Sequence, residues 1–494
     1  MINIFLFTQN LKLSSLFRIA KISNIQDTNV FLTTHFLFDN ERDLLSSIFS
    51  NCIFKDFADY LTDSEMESCD TLAYSSVDMD YYLYLSELKR RKNILVAEKV
   101  LKEYGISNKY ILSDDLGIDV SVWKKYGFKS IKCEYYYSES SMNKLKQCAK
   151  KIPGIKRVYK SLIDNKPVYN PNDVYVGYSD GKKYVFIGKM SRIDYRLNIR
   201  FDKSKEECDR LNKGLYETKD KCTYMTTWHE HGKCQIPDKD IYSVRWTQDG
   251  YLPPNYTHKD YCFKPNNVIY YCWDVLGTQL FKNQNLPYEI IPFRKKLYLP
   301  KPKFPKEVKR ILIVASGSGD WTALKNRSDD DIMVDAFSKL AKKFPEIQFV
   351  YRCHPTWVHP QNVGVNAINR VHDYFNSLNL NNLSLSSNMP LSNVNGEFQF
   401  SYSRSSLEED LLNSDIVFGE HSISMIDAAF KEIPFCSVNL TNRRNFFVGI
   451  NDLGFPSCVS IDEIIDQIER FKNPDYQATY LEAIERYNLM TAEG

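Results

Sequence analysis

The sequence predicts an α/β protein of two domains. Three observations carry that: the length of the chain, a proline-rich linker, and an apolar strand-and-helix alternation that begins directly after it. The 494 residues exceed what one hydrophobic core ordinarily supports. Residues 295–306 (KKLYLPKPKFPK) carry prolines at 300, 302 and 305, which forbid a helix or a central strand. Residues 310–315 (RILIVA) are apolar without alternation, as a parallel strand buried on both faces must be. These features place an N-terminal α/β domain at 1–300 and a C-terminal, doubly wound domain at 301–494, with the division near 298–308.

The elements follow in order. Residues 1–10 (MINIFLFTQN) lack the basic start and small-residue cleavage site of a signal peptide, so the apolar run 4–7 reads as a first strand. Residues 30–37 are a second apolar run, and 82–104 follow a helical pattern. Runs at 174–178 and 184–188 flank a turn containing Ser179-Asp180-Gly181 and predict a β-hairpin. The polar, Cys-containing stretch 199–234 shows no readable organisation. Residues 268–272 are a buried-strand candidate, followed by Trp273-Asp274 and a helix-like stretch at 275–281. Past the linker, strand 310–315 leads to helix 330–344, strand 347–352, helix 367–378 and a short strand near Leu383. Helix 406–413, strand 415–418, helix 424–431, strand 435–438 and helix 462–470 complete the alternation. Sheets wound in this way bind ligands in the loops at the carboxyl ends of their strands.

Composition narrows the partners. A formal net charge of +2, from 64 basic and 62 acidic residues, gives no overall field to collect nucleic acid. The 12 cysteines form no CxxC pair or regular framework, which suits free thiols in a reducing, cytoplasmic setting. Cys222, His229, His231 and Cys234 lie close together, but their order matches no common zinc spacing, so no metal is expected. No apolar stretch is long enough to span a bilayer, which leaves peripheral membrane contact as the only kind expected. Aromatics reach 14%, with 33 Tyr, which is read as compositional bias ahead of carbohydrate stacking.

Four loops carry residues suited to chemistry. Ser316-Gly317-Ser318-Gly319 follows strand 310–315; its glycines let backbone N–H groups approach a phosphate, although it is neither a GxGxxG nor a P-loop. Arg352-Cys353-His354-Pro355 ends strand 347–352. Alternation points Arg352 and His354 the same way, offering charge and a hydrogen bond to a phosphate at the ligand edge. His359 and His372 lack that setting and read as surface residues. Glu420-His421-Ser422-Ile423-Ser424 opens a helix, where one serine suffices as a cap and a second offers a further hydroxyl. Gln248-Asp249-Gly250, in the N-terminal part, by itself reads as an ordinary Asp-Gly turn.

Together these loops resemble the bacterial surface-polysaccharide glycosyltransferases of the GT-B fold, in particular the capsule and lipopolysaccharide enzymes that use CMP-activated Kdo or sialic acid. His354-Pro355 resembles that family's His-Pro motif, and Ser422 and Ser424 its serine-rich loop. Gln248-Asp249-Gly250 resembles its acidic-Asp-Gly motif, with Gln in place of the first acid, and GYLPPNY looks like the continuation. The resemblance covers about 241–470. It implies two Rossmann-like domains facing a cleft, 1–300 on the acceptor side and 301–494 binding the nucleotide sugar. It also implies no cofactor beyond the donor, and an oligosaccharide or lipid-linked glycan acceptor met at the inner face of the cytoplasmic membrane. Asp249 would act as general base or nucleophile, with Glu230 and Glu420 as the next carboxylates. His354, Ser422 and Ser424 would stabilise the departing phosphate. The alternative readings are a glycerophosphate-type polymer transferase, a sugar-nucleotide epimerase, and a non-catalytic glycan-binding protein.

Overall fold

The computed structural model describes residues 1–494 apart from 8–10, 24–25, 35, 77–80, 114–116, 135–168, 188–198, 219–220, 228–242, 247–267, 273–277, 279–281, 283–284, 286, 291–297, 317–328, 355–363, 389–400, 421, 423, 441–447 and 494. Three sheets organise the described residues.

The first sheet is wholly parallel, in the order β3-β2-β1-β4-β5: β1 (Ile2–Leu6), β2 (Thr28–Thr33), β3 (Cys52–Asp56), β4 (Asn108–Ile111) and β5 (Lys129–Ser130). Helices α1 (Leu13–Ile22), α2 (Asp39–Ile48), α3 (Asp63–Ser75), α4 (Tyr81–Tyr104) and α5 (Val120–Lys125) connect its strands. Side chains alternate across a strand, and both faces of β1 are apolar. Ile4 and Leu6 pack with Val30, Leu32, Val96, Val100 and Trp123 on one side. Phe5 and Phe7 pack with Leu16, Ile19, Phe31 and Leu45 on the other. A strand buried on both faces needs no polar alternation, which is why the run at 4–7 is continuous.

The second sheet runs β12-β11-β10-β9-β7-β6-β8. Its strands are β6 (Val174–Ser179), β7 (Lys182–Ile187), β8 (Phe201–Lys203), β9 (Cys222–Thr227), β10 (Ser243–Trp246), β11 (Val268–Cys272) and β12 (Tyr288–Ile290). The expected hairpin is β6–β7, and its two turn residues, Asp180 (φ 50°) and Gly181 (φ 74°), both take the left-handed conformation that a tight hairpin turn requires. The described residues of the stretch 199–234 include β8, α6 (Lys205–Asn212) and β9. Ser204 caps α6 by accepting a hydrogen bond from the Glu207 amide at 3.1 Å. Cys208 and Leu211 of α6 pack against Cys222 and Tyr224 of β9. Lys183 of β7 is held between Glu207 at 2.5 Å and Glu217 at 2.9 Å.

The third sheet is again parallel, β16-β15-β14-β13-β17-β18-β19. It comprises β13 (Arg310–Val314), β14 (Gln348–Arg352), β15 (Leu383–Ser387), β16 (Ser401–Arg404), β17 (Ile416–Gly419), β18 (Phe435–Val438) and β19 (Ser457–Cys458). Its helices are α7 (Asp329–Lys343), α8 (Gly364–Leu378), α9 (Leu407–Leu412), α10 (Ser424–Phe430), α11 (Val448–Asn451) and α12 (Ile461–Arg470), and α13 (Pro474–Glu493) closes the chain. β16, β19 and α13 go beyond the sequence-based expectation.

The fold class is therefore α/β, and the first and third sheets have the Rossmann-like order, in which succession reverses beside the first strand. By its contacts the chain forms two compact units. One holds Met1–Ser138, Pro302–Asn445 and Pro456–Gln477; the other holds Glu139–Lys301, Phe446–Phe455 and Ala478–Gly494. Residues 1–300, expected as one domain, thus carry two sheets, the first of which shares a unit with the third. Physically, the helices of the first sheet bury side chains against helices of the third: α2 packs on α8, with Phe38 stacked on Tyr374 at 4.4 Å. One passage between the units lies at 301/302. Among the described residues no helix is long and apolar enough to cross a membrane.

Candidate functional site

The carboxyl edge of the third sheet brings three of the sequence-predicted loops to one level. Val314, the last residue of β13, is in register with Arg352 of β14 on one side and with Gly419 of β17 on the other. The Ala315 amide donates to the Arg352 carbonyl at 3.2 Å and the Cys353 amide to the Ser386 carbonyl at 3.0 Å, carrying the ladder to the strand ends. Ser316, Cys353-His354 and Glu420 therefore leave three adjacent strands together. β13 is also where the strand succession reverses, the place at which such sheets leave room for a ligand.

Alternation along β14 sorts its residues. Tyr351 is 1% exposed and Cys353 3%, whereas Arg352 and His354 are half-buried. Arg352, expected to add charge toward a phosphate, has another partner. Its Nη1 donates to Asp410 Oδ2 at 2.5 Å and to the Ser405 carbonyl at 3.1 Å. Asp410 is buried, and also accepts from the hydroxyls of Ser386 and Ser405. The guanidinium thus balances a buried carboxylate on α9 and fixes that helix to the sheet edge. Asp410 was not among the sequence candidates, since only the fold brings it to Arg352.

At β17, a Cβ on Gly419 would stand 2.7 Å from Val314 Cγ2, 3.2 Å from the Val314 carbonyl and 3.2 Å from Met425 Sδ. Only glycine lets β17 lie this close to β13, and the glycine ending the DIVFG run is the mark of that approach in the sequence. Beyond it, the Ser422 hydroxyl accepts from the Ser424 amide at 3.4 Å and the Ser422 carbonyl from the Met425 amide at 3.1 Å. Ser422 takes the capping role, and Ser424 is the second hydroxyl at the same turn. Glu420 is half-buried at the end of the strand.

His372, expected on the surface, is only 2% exposed, with Nδ1 3.1 Å from Asp373 Oδ1 and Nε2 3.3 Å from Asn376 Nδ2. Cys222 belongs to the core of the second sheet. Burial above all, then the neighbouring Glu217 carboxylate, pushes its thiol up to about 12. Among the described residues no group of three or more His, Cys, Asp or Glu could hold a metal ion. Asp249, Glu230, Gly317, Ser318, Gly319, Pro355, His359, His421, His229, His231 and Cys234 lie outside the described residues.

No protein-family model matches this chain, and no curated protein matches it significantly. Solved structures give distant likenesses. TarM is 11% identical over 100% of this chain and 95% of its own, with a TM-score of 0.34. A glycosyltransferase from Rickettsia africae is 14% identical over 81% of this chain and 92% of its own, TM-score 0.32. A UDP-GlcNAc 2-epimerase from Neisseria meningitidis is 12% identical over 100% and 99%, TM-score 0.23. With TM-scores below 0.5, function has to be argued from this chain's own residues.

Proposed function

We propose that this chain is a GT-B-type glycosyltransferase. In this reading its third sheet holds the phosphate of a nucleotide-activated sugar, CMP-linked and of the Kdo or sialic acid kind, for transfer to a bacterial surface glycan. The observation that carries the reading is the common level at which Ser316, His354 and Glu420 leave β13, β14 and β17. An imidazole and serine hydroxyls at that edge are donors suited to a leaving phosphate, whose negative charge grows as the glycosyl bond breaks. Asp249 supplies the carboxylate that either takes the acceptor's proton or attacks the anomeric carbon.

A thermal-shift panel of CMP, CDP, UDP, GDP and their sugar conjugates tests the donor. A ligand that binds only the folded state stabilises it by about 2.7 kcal/mol at a hundred times its Kd. CMP and CMP-sugars are expected to raise the melting temperature, and His354→Ala to remove most of that rise. Stabilisation by UDP or GDP compounds alone would replace the donor assignment; no stabilisation by any of them would defeat the reading.

A further inference from the structure

Arg370 lies on α8, the helix that follows His354 in the chain, and its guanidinium is buried where three helices meet. Nε and Nη2 grip the Glu41 carboxylate of α2 at 2.7 and 2.9 Å. Nη1 donates to Asp331 Oδ2 of α7 at 2.7 Å, and Nη2 donates to the Phe36 carbonyl at 2.5 Å. The guanidinium carbon sits 5.0 Å from the centre of the Phe38 ring, which stacks on Tyr374. The Tyr374 hydroxyl donates in turn to Asp335 of α7 at 2.8 Å. Burial alone would favour the neutral guanidine; attraction to Glu41 and Asp331 outweighs it and holds the group charged.

Sequence order gives this junction its meaning. α7 follows the Ser316 loop and α8 follows His354, while α2 follows β2 of the first sheet. Asp331 and Glu41 both lie in the first turns of their helices. A buried ion cluster is a poor source of stability, since well-packed apolar side chains often serve as well or better. What the planar guanidinium adds is a fixed geometry, a fork that a point charge does not reproduce.

We infer that Arg370 is a positioning residue for the donor edge: by tying the first turns of α7 and α2 to α8, it sets the carboxyl ends of β13 and β14, at Ser316 and His354, relative to each other. Residues 36–41, from the body of the first sheet, thereby help to shape the nucleotide site. This inference rests on the reading of that edge as a nucleotide-sugar site.

Two variants test it in the full-length protein. Glu41→Gln removes one charge with little change of shape. The triple variant Glu41→Leu/Asp331→Leu/Arg370→Met replaces the whole ion cluster with apolar side chains, so that packing survives with neither directional bonds nor an unpaired buried charge. Both are followed by circular dichroism, by melting temperature, by amide exchange in the peptides spanning 314–316 and 352–354, and by CMP calorimetry. Both variants are expected to exchange faster in those peptides and to bind CMP roughly tenfold more weakly, a shift well within calorimetric range. The apolar triple variant should regain melting temperature without regaining affinity. If it regains affinity together with stability, or if affinity never falls while stability does, Arg370 is structural and the inference fails. Unchanged exchange at both peptides with intact CMP binding also overturns it. Should the wild-type protein bind no nucleotide, the proposed function falls, and the positioning of a nucleotide site falls with it. The exchange data then still report whether α2 is coupled to the two loops.

Discussion

Asn93 of α4 is 1% exposed and uses its whole carboxamide. Nδ2 donates to the carbonyls of Lys89 at 2.8 Å and Gly117 at 3.0 Å. Oδ1 accepts from the Asp119 amide at 3.0 Å and from Trp123 Nε1 at 2.6 Å. One side chain thus fixes the segment after β4 and gives a fully buried indole its only polar need. Asn93→Ala strands an amide and an indole N–H together, so a loss of about 3 kcal/mol is expected in urea denaturation, the scale set by two unmet donors. A loss below about 1 kcal/mol would mean that water replaces the carboxamide. Asn93→Asp keeps the acceptor but removes the donor and buries a charge, and should be no better tolerated. Arg352 makes the same point from the opposite side. Its position at a ligand edge was legible, but its partner was not, because Asp410 lies 58 residues further along the chain. His372 carries no motif that marks it in the sequence, yet it is buried, a position that only tertiary packing sets.

At the scale of elements, the approach of β17 to β13 depends on Gly419. Gly419→Ala puts a methyl 2.7 Å from Val314 Cγ2, so the strands must part or Val314 must leave its rotamer. Overpacking of this kind costs about 1–3 kcal/mol. Val314→Ala removes the clashing methyl, so the double variant should melt higher than Gly419→Ala alone, although the contact with the Val314 carbonyl remains. Equal melting temperatures for the two would place the strain elsewhere. Strands such as β13, β14, β17 and β18 were legible because burial on both faces leaves them apolar throughout. β16 reads SYSR and was not: its place is given by its register with β15, which local pattern does not contain. The stretch 199–234 hid β8, α6 and β9 because α6 is strongly polar, its buried face amounting to little more than Cys208 and Leu211. α13 carried better signals. Pro474 stands at its first position, and Tyr480, Ala483, Ile484 and Tyr487 recur at helical spacing and are buried; Tyr in an otherwise polar segment masked that stripe.

For the whole molecule, the passage at 301/302 joins the unit of the second sheet to the unit that holds the first and third. The chain is pinned on each side of it. In one unit, Asn488 of α13 holds Leu299 by both backbone groups, accepting from its amide at 2.7 Å and donating to its carbonyl at 2.9 Å. In the other, the Lys303 amide donates to the Glu432 carbonyl at 2.7 Å, and the Lys303 ammonium meets the Glu432 carboxylate at 2.5 Å. The change of unit is thus confined to residues 300–302, two of them prolines, which need no amide partner. Asn488→Ala leaves the Leu299 amide and carbonyl without that partner and frees the second-unit side of the passage. Cleavage by trypsin after Lys303 and Lys306 should become several-fold faster than in the wild type, because local opening governs access to the bond. The double substitution Lys303→Met/Glu432→Met, which removes the charged contact on the other side, should have little effect by comparison, since an exposed pair contributes about 0–1 kcal/mol and the backbone hydrogen bond survives; cleavage is then followed after Lys306. Unchanged cleavage of Asn488→Ala would show that Leu299 is held by the burial of its side chain, and that α13 has no part in pinning the passage.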